Sequence, residues 1–161
     1  MSVEDLKLRA EQGDAAAQHG LGLAYRAGQR VTRNYAEAVN WFRAAAGQGM
    51  VAAQFDLGIM YGMGKGVPKE DTKAAHWFRK AAEQGHAKAQ HLLGLRFAMS
   101  ESAPLYHIDA YKWLALAAAQ GEDTGEEIYR LEKSMSPEQI AEAQKQAAEW
   151  VPTHPNTVWE Q

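Results

Sequence analysis

Gly13, Gly49, Gly85 and Gly121 stand 36 residues apart, and that single period restricts the chain to architectures built by stacking a repeated unit. The last three of these glycines close Ala-rich segments ending in Gln48-Gly49, Gln84-Gly85 and Gln120-Gly121. The same frame aligns Ala17, Ala53 and Ala89; Gln18, Gln54 and Gln90; Leu21, Leu57 and Leu93; Gly22, Gly58 and Gly94; and Tyr25, Tyr61 and Phe97. A second block aligns Ala38, Ala74 and Ala110; Trp41, Trp77 and Trp113; Phe42, Phe78 and Leu114; and the alanine pairs that begin at Ala45, Ala81 and Ala117. Each unit therefore holds two segments, and each segment has the spacing of a helix with one buried stripe. Ala17, Leu21, Gly22 and Tyr25 recur every three to four residues, as do Trp41, Ala45 and Ala46.

Local chemistry fits a helix-turn-helix unit. A glycine inside a helix costs about 1 kcal/mol relative to alanine, so the recurrent Leu-Gly predicts a close approach of a second helix. The tryptophan of the partner helix is expected to fill the space beside it, and Trp77→Ala is expected to cost about 3–5 kcal/mol. The glycine of Gln-Gly sits where a helix ends. Gly62 to Pro68 reads as the turn between the two helices of the second unit, Gly28 to Val31 as a reduced version in the first, and Ser100 to Pro104 as a differently shaped loop in the third.

The ends differ from the middle, as a stack of repeats requires, because an open terminal repeat would expose apolar surface. Residues 1–12 read as a leading helix, followed by repeats at 13–48, 49–84 and 85–120. Residues 121–150 read as a divergent closing helix pair, the second opened by the capping sequence Ser136-Pro137-Glu138-Gln139. Residues 151–161, with Pro152 and Pro155, read as a loose tail, and on this reading the array is whole.

At 161 residues the chain is long enough to bury one core, and alanine enrichment with five prolines favours helix over sheet. A net charge of −3 and a pI near 6.1 give no clustered basic surface for nucleic acid. Without cysteine there are no disulfides, thiolate nucleophiles or thiolate zinc sites. No apolar run approaches a membrane span, and the N-terminal sequence lacks a signal-peptide core. As written the chain reads as cytoplasmic, or as periplasmic or secreted if a leader has been removed from it.

The pattern A-x-x-x-L-G-x-x-Y, a glycine-rich turn with Gly-Val, and A-x-x-W-x-x-x-A-A-x-x-G resembles the Sel-one-like repeat (SLR) family, relatives of the tetratricopeptide repeats. Ala53 to Tyr61, Gly66-Val67 and Ala74 to Gly85 match it best, and the resemblance covers residues 13–121. The third turn and Phe97, where the family has tyrosine, depart from it. The resemblance implies an all-α, right-handed superhelix of antiparallel helix pairs that acts as a protein-binding adaptor, often in bacteria. It also implies that the first helix of each pair faces the concave side. Carried over register by register, the candidate contact residues are His19, Leu23, Arg26, Phe55, Ile59, Met63, His91, Leu95 and Met99. Leu23, Ile59 and Leu95 fit equally well as core between helices, and Met63 and Met99 fit core filling as well as an adaptable surface.

Other chemistry finds little support. His86 and His91 are five residues apart, not the four that align two ligands on one helix face, and no metal site is expected. No nucleophile elbow, kinase set, zincin motif or dinucleotide fingerprint is present, so neither catalysis nor a cofactor is expected. The expected partner is a protein or peptide, bound by a monomer. The alternatives are an immunity or inhibitor protein that neutralises one toxic effector, and an enzyme or small-ligand sensor.

Overall fold

The structure of the protein is a computed structural model that describes residues 1–100 and 103–152. Among these residues there are nine α-helices and no strand. They are α1 (Val3–Glu11), α2 (Ala15–Ala27), α3 (Tyr35–Gly47), α4 (Val51–Met63), α5 (Asp71–Glu83), α6 (Ala87–Ala98), α7 (Ala103–Ala119), α8 (Gly125–Glu132) and α9 (Pro137–Glu149). The chain divides into two compact units, Met1–Lys80 and Ala81–Gln161.

In the first unit α1 packs on α2, α2 on α3 and α3 on α4. The recurrent glycine marks the closest approach, but the residue beside it is the one after the tryptophan. A Cβ at Gly22 would lie 2.6 Å from the Phe42 ring, and one at Gly58 would lie 2.7 Å from the Phe78 ring. Phe42 is fully buried and Phe78 is 5% exposed, whereas Trp41 and Trp77 are half-buried. The expected core position of Trp77 is thus corrected by one residue: Phe78 enters the gap, and Trp77 lies on the flank against His76 and Lys80. Trp41 packs from the side on the cluster of Ala10, Ala17 and Leu21.

The second unit repeats the device with an aliphatic partner, since a Cβ at Gly94 would lie 2.7 Å from Leu114 Cγ. Here α7 packs on α6, α8 and α9 around Ala110, Tyr111, Leu114, Leu131, Met135 and Ala143. Trp113, 4% exposed, meets Trp150 edge to face at 6.1 Å between ring centroids. The Tyr111 hydroxyl donates to Glu132 at 3.1 Å and accepts from Gln144 at 3.2 Å, tying α8 and α9 to α7. Ser136 forms the capping box of α9, with Gln139 reaching back to the Ser136 N–H at 2.9 Å.

Two loop expectations change. Helix α4 continues through Gly62 and Met63, so its turn begins at Gly64. Ala103 and Pro104 open α7 instead of belonging to a loop; proline is tolerated there because first-turn N–H groups have no helical acceptor. The resulting α7 has 17 residues where α3 and α5 have 13. Residues 101–102 of the expected third loop, and 153–161 of the expected tail, lie outside the described residues.

Each Gln-Gly turn is closed the same way. The Gly49 N–H donates to Ala46 O at 3.0 Å and the Met50 N–H to Ala45 O at 3.2 Å, with Gly49 at φ 87°. The glutamines at two registers then stitch successive helices. Gln18, Gln54 and Gln90 are buried and donate to the carbonyls of Ala10, Ala46 and Ala82, eight residues back, at 3.1, 3.5 and 3.2 Å. Gln48 donates to the Gln18 side-chain oxygen at 2.8 Å and to Gly13 O at 2.9 Å, and Gln120 does the same to Gln90 and Gly85.

One turn position explains a sequence difference between repeats. Arg30 and Gly66 share a register and both adopt left-handed backbone, at φ 62° and 75°. A Cβ at Gly66 would lie 2.3 Å from Tyr35 O, so this turn abuts the preceding repeat and only glycine fits. Arg30 carries the same conformation with a side chain, at a cost of about 1 kcal/mol, and its guanidinium donates to Met1 O at 3.0 Å.

Candidate functional site

The candidate contact residues lie on the first helices of the repeats, in two groups that belong to separate units. In the first unit, α2 carries His19, Leu23 and Arg26, and α4 carries Phe55, Ile59 and Met63. His19 Nε2 lies 2.7 Å from Asp56 Oδ2, and Arg26 Nη1 donates to Asp56 Oδ1 at 2.6 Å. Asp56 thus joins two consecutive first helices, and its side chain is only 13% exposed. Burial pushes its carboxyl up, but the hydrogen bond from His19 and the charge and hydrogen bond of Arg26 outweigh this and hold it below its ordinary value. The Arg26 guanidinium also stacks over Phe42, 5.6 Å from the ring centroid, and the His19 ring lies 5.7 Å from the same ring.

The sequence reading missed Asp56 because the repeat registers do not select it: Gly20 and Leu92 occupy the equivalent positions. One signal was present. Asp56 is the one charged residue in α4, an otherwise apolar and neutral helix, and an isolated charge there demands a partner.

The other predicted residues of this unit divide by exposure. Phe55 is half-buried with its ring 5.7 Å from Phe78, and Ile59 is half-buried as well. Met63 is 58% exposed. Leu23 is half-buried and lines a cleft of about 640 Å³ with Leu6, Gly20 and Ala24, rimmed by Arg30.

In the second unit, His91 and Leu95 lie on α6, and Met99 is its C-terminal capping residue. His91 stands between two carboxylates: Nε2 is 3.3 Å from Glu127 Oε1, and Nδ1 is 3.6 Å from Glu122 Oε2. Leu95 packs on the core cluster, while Met99 is 82% exposed. His86, considered beside His91 as a ligand, instead caps α6, its Nδ1 accepting the Ala89 N–H at 3.2 Å. Among the described residues no group of three His, Cys, Asp or Glu side chains converges as a metal site. His19 and His91, equivalent in register, each meet a carboxylate within their own unit. This arrangement fixes helices and presents side chains.

The Sel1 repeat model matches residues 15–50, 51–86 and 87–122. The secretory immunoglobulin A-binding protein EsiB of Escherichia coli O6:H1 (strain CFT073) is 42% identical over 45 residues, which are 28% of this chain and 9% of EsiB. Among solved structures, c5321, a protective antigen of uropathogenic Escherichia coli strains displaying an SLR fold, is 39% identical with a TM-score of 0.72. That match covers 78% of this chain and 27% of c5321. A Sel1 repeat protein from Oxalobacter formigenes is 38% identical with a TM-score of 0.65, covering 69% of this chain and 46% of the other. The chain therefore spans less than half the length of each of these relatives.

Proposed function

This chain belongs to the Sel1 repeat family, and we propose that it is an adaptor that binds a protein or peptide along the first-helix face of its repeats. Sel1 repeat proteins generally mediate protein–protein interactions and are not typically enzymes. EsiB is named for binding immunoglobulin A; with the small share of each chain that aligns, it supports a protein partner and no particular one.

The observation that carries the reading is the exposure of Met63 and Met99. They share a register one repeat apart, and at 58% and 82% exposure they leave flexible apolar side chains in water. Methionine suits surfaces that adapt to a partner. His19, Leu23, Arg26, Phe55, Ile59, His91 and Leu95 complete the proposed face. Their roles differ, since His19 and Arg26 hold Asp56 and Phe55 packs near Phe78. Replacing His19, Phe55 and His91 together would therefore disturb packing as well as any contact, and the exposed methionines give the cleaner test.

A partner is captured on the immobilised full chain from native lysate, identified by mass spectrometry, and its affinity measured by titration calorimetry. Met63→Asp with Met99→Asp is expected to weaken binding at least about tenfold, as loss of central apolar contacts does, with the far-UV circular dichroism unchanged. Unchanged affinity would remove the site from this face.

A further inference from the structure

The second unit holds a cleft of about 410 Å³ between the end of α6, α7 and α8. Its apolar floor is Leu95, Ala98, Met99 and Leu131, and Glu126 and Glu127 stand on its wall. The volume lies at the small end of ligand clefts, which run from about 300 to 1,000 Å³, so it suits one large side chain better than a folded surface. Met99 has the highest fractional exposure of the large hydrophobic residues among those described, and it borders this cleft.

The charge around it is net negative, with Glu126 and Glu127 set against Arg130 from α8 and His107 from α7. Residues 122–133 hold five acids and two bases, a balance of −3 that equals the formal charge of the entire chain. Arg130 on the cleft wall pairs with Glu126 one turn away on its own helix, and with both side chains more than 70% exposed this surface pair is weak enough to exchange for another cation. Glu127 faces His91 at 3.3 Å and still leaves 29% of its side chain in solvent. The cleft of the first unit has the opposite rim, with Arg30 the charged side chain that lines it.

We propose that the cleft of α6, α7 and α8 receives a partner segment presenting one large apolar side chain flanked by lysine or arginine. This rests on the adaptor reading and names the chemistry of what is bound. The apolar side chain would displace water from Leu95, Met99 and Leu131, and the flanking cations would meet Glu126 and Glu127.

Fluorescein-labelled peptides with a central Trp flanked by Lys, the same Trp flanked by Glu, and a central Ala flanked by Lys are titrated with the full chain and followed by anisotropy. The Lys-flanked Trp peptide is expected to bind at least about tenfold more tightly than either other peptide. Its binding is expected to weaken several-fold as salt rises from about 50 to 500 mM, because exposed charges are screened. Met99→Ser and Glu126→Lys, both at exposed side chains, are each expected to weaken it about tenfold with unchanged helicity. Equal binding of the Glu-flanked peptide, or insensitivity to both substitutions, overturns the proposal. If a captured protein partner is lost on Met63→Asp but kept by Glu126→Lys, this cleft is wrong and the adaptor reading stands. If neither substitution affects the partner and no peptide binds, both readings fall.

Discussion

The same histidine register is used in opposite ways in the two units. In the first, His19 and Arg26 converge on Asp56, which is 13% exposed and carried by the next first helix. In the second, His91 meets Glu122 and Glu127 at the longer distances of 3.6 and 3.3 Å, and both carboxylates are about twice as exposed. A buried carboxylate must be fully partnered, because its desolvation is costly. A half-exposed one keeps water and loses less if its partner leaves. The difference assigns the first cluster mainly to holding helices together and leaves the second more open to solvent.

The largest effect expected lies at the residues that enter the glycine gaps. Phe42→Ala should cost about 3–5 kcal/mol in chemical denaturation, and Leu114→Ala, its equivalent in the second unit, about 2–5 kcal/mol. Trp77→Ala, at a half-buried position, should cost less than either; an equal loss would return the tryptophan to the core.

Asp56→Asn should cost about 1–3 kcal/mol, because it weakens hydrogen bonds at a largely buried site. It should also flatten the acid limb of the stability profile. The Asp56 carboxyl is held below its ordinary value of 3.8, so its contribution is present above that value and disappears as pH falls through the lowered one. Wild type should therefore lose more stability than Asp56→Asn on acidification below pH 3.8, and parallel profiles would break the comparison at its first term.

His91→Gln should be the smallest change, below about 1 kcal/mol, in keeping with partly exposed polar contacts at 3.3 and 3.6 Å. If it proves as damaging as His19→Gln, the two clusters are doing the same work after all.

Much of this architecture was legible in the 36-residue period. The glycine at 22, 58 and 94 announced a close helix approach, and one is found at each. Which residue enters that gap was misjudged, because Trp41 and Phe42 are adjacent and periodicity resolves a helix face only to about one residue; larger size argued wrongly for tryptophan. The start of α7 was hidden by Pro104, which reads as a breaker unless its place in a first turn is known. Asp56 was hidden by the repeat itself, since alignment of copies rewards what recurs and the clamp occurs at a position where the other copies have Gly20 and Leu92.

The buried glutamines carry a consequence for how the protein ages. Gln18 and Gln90 each give a hydrogen bond to a main-chain carbonyl and receive one from a second glutamine, so each acts as a relay with a fixed direction. An amide can give and receive at once; an ionised carboxylate can only receive. Spontaneous loss of ammonia from the side chain, harmless at an exposed glutamine such as Gln29, would at Gln90 set a negative oxygen against the oxygen of Ala82. Full burial of Gln90 keeps water from that amide, whereas Gln18, 7% exposed, holds the same relay with slightly less shelter.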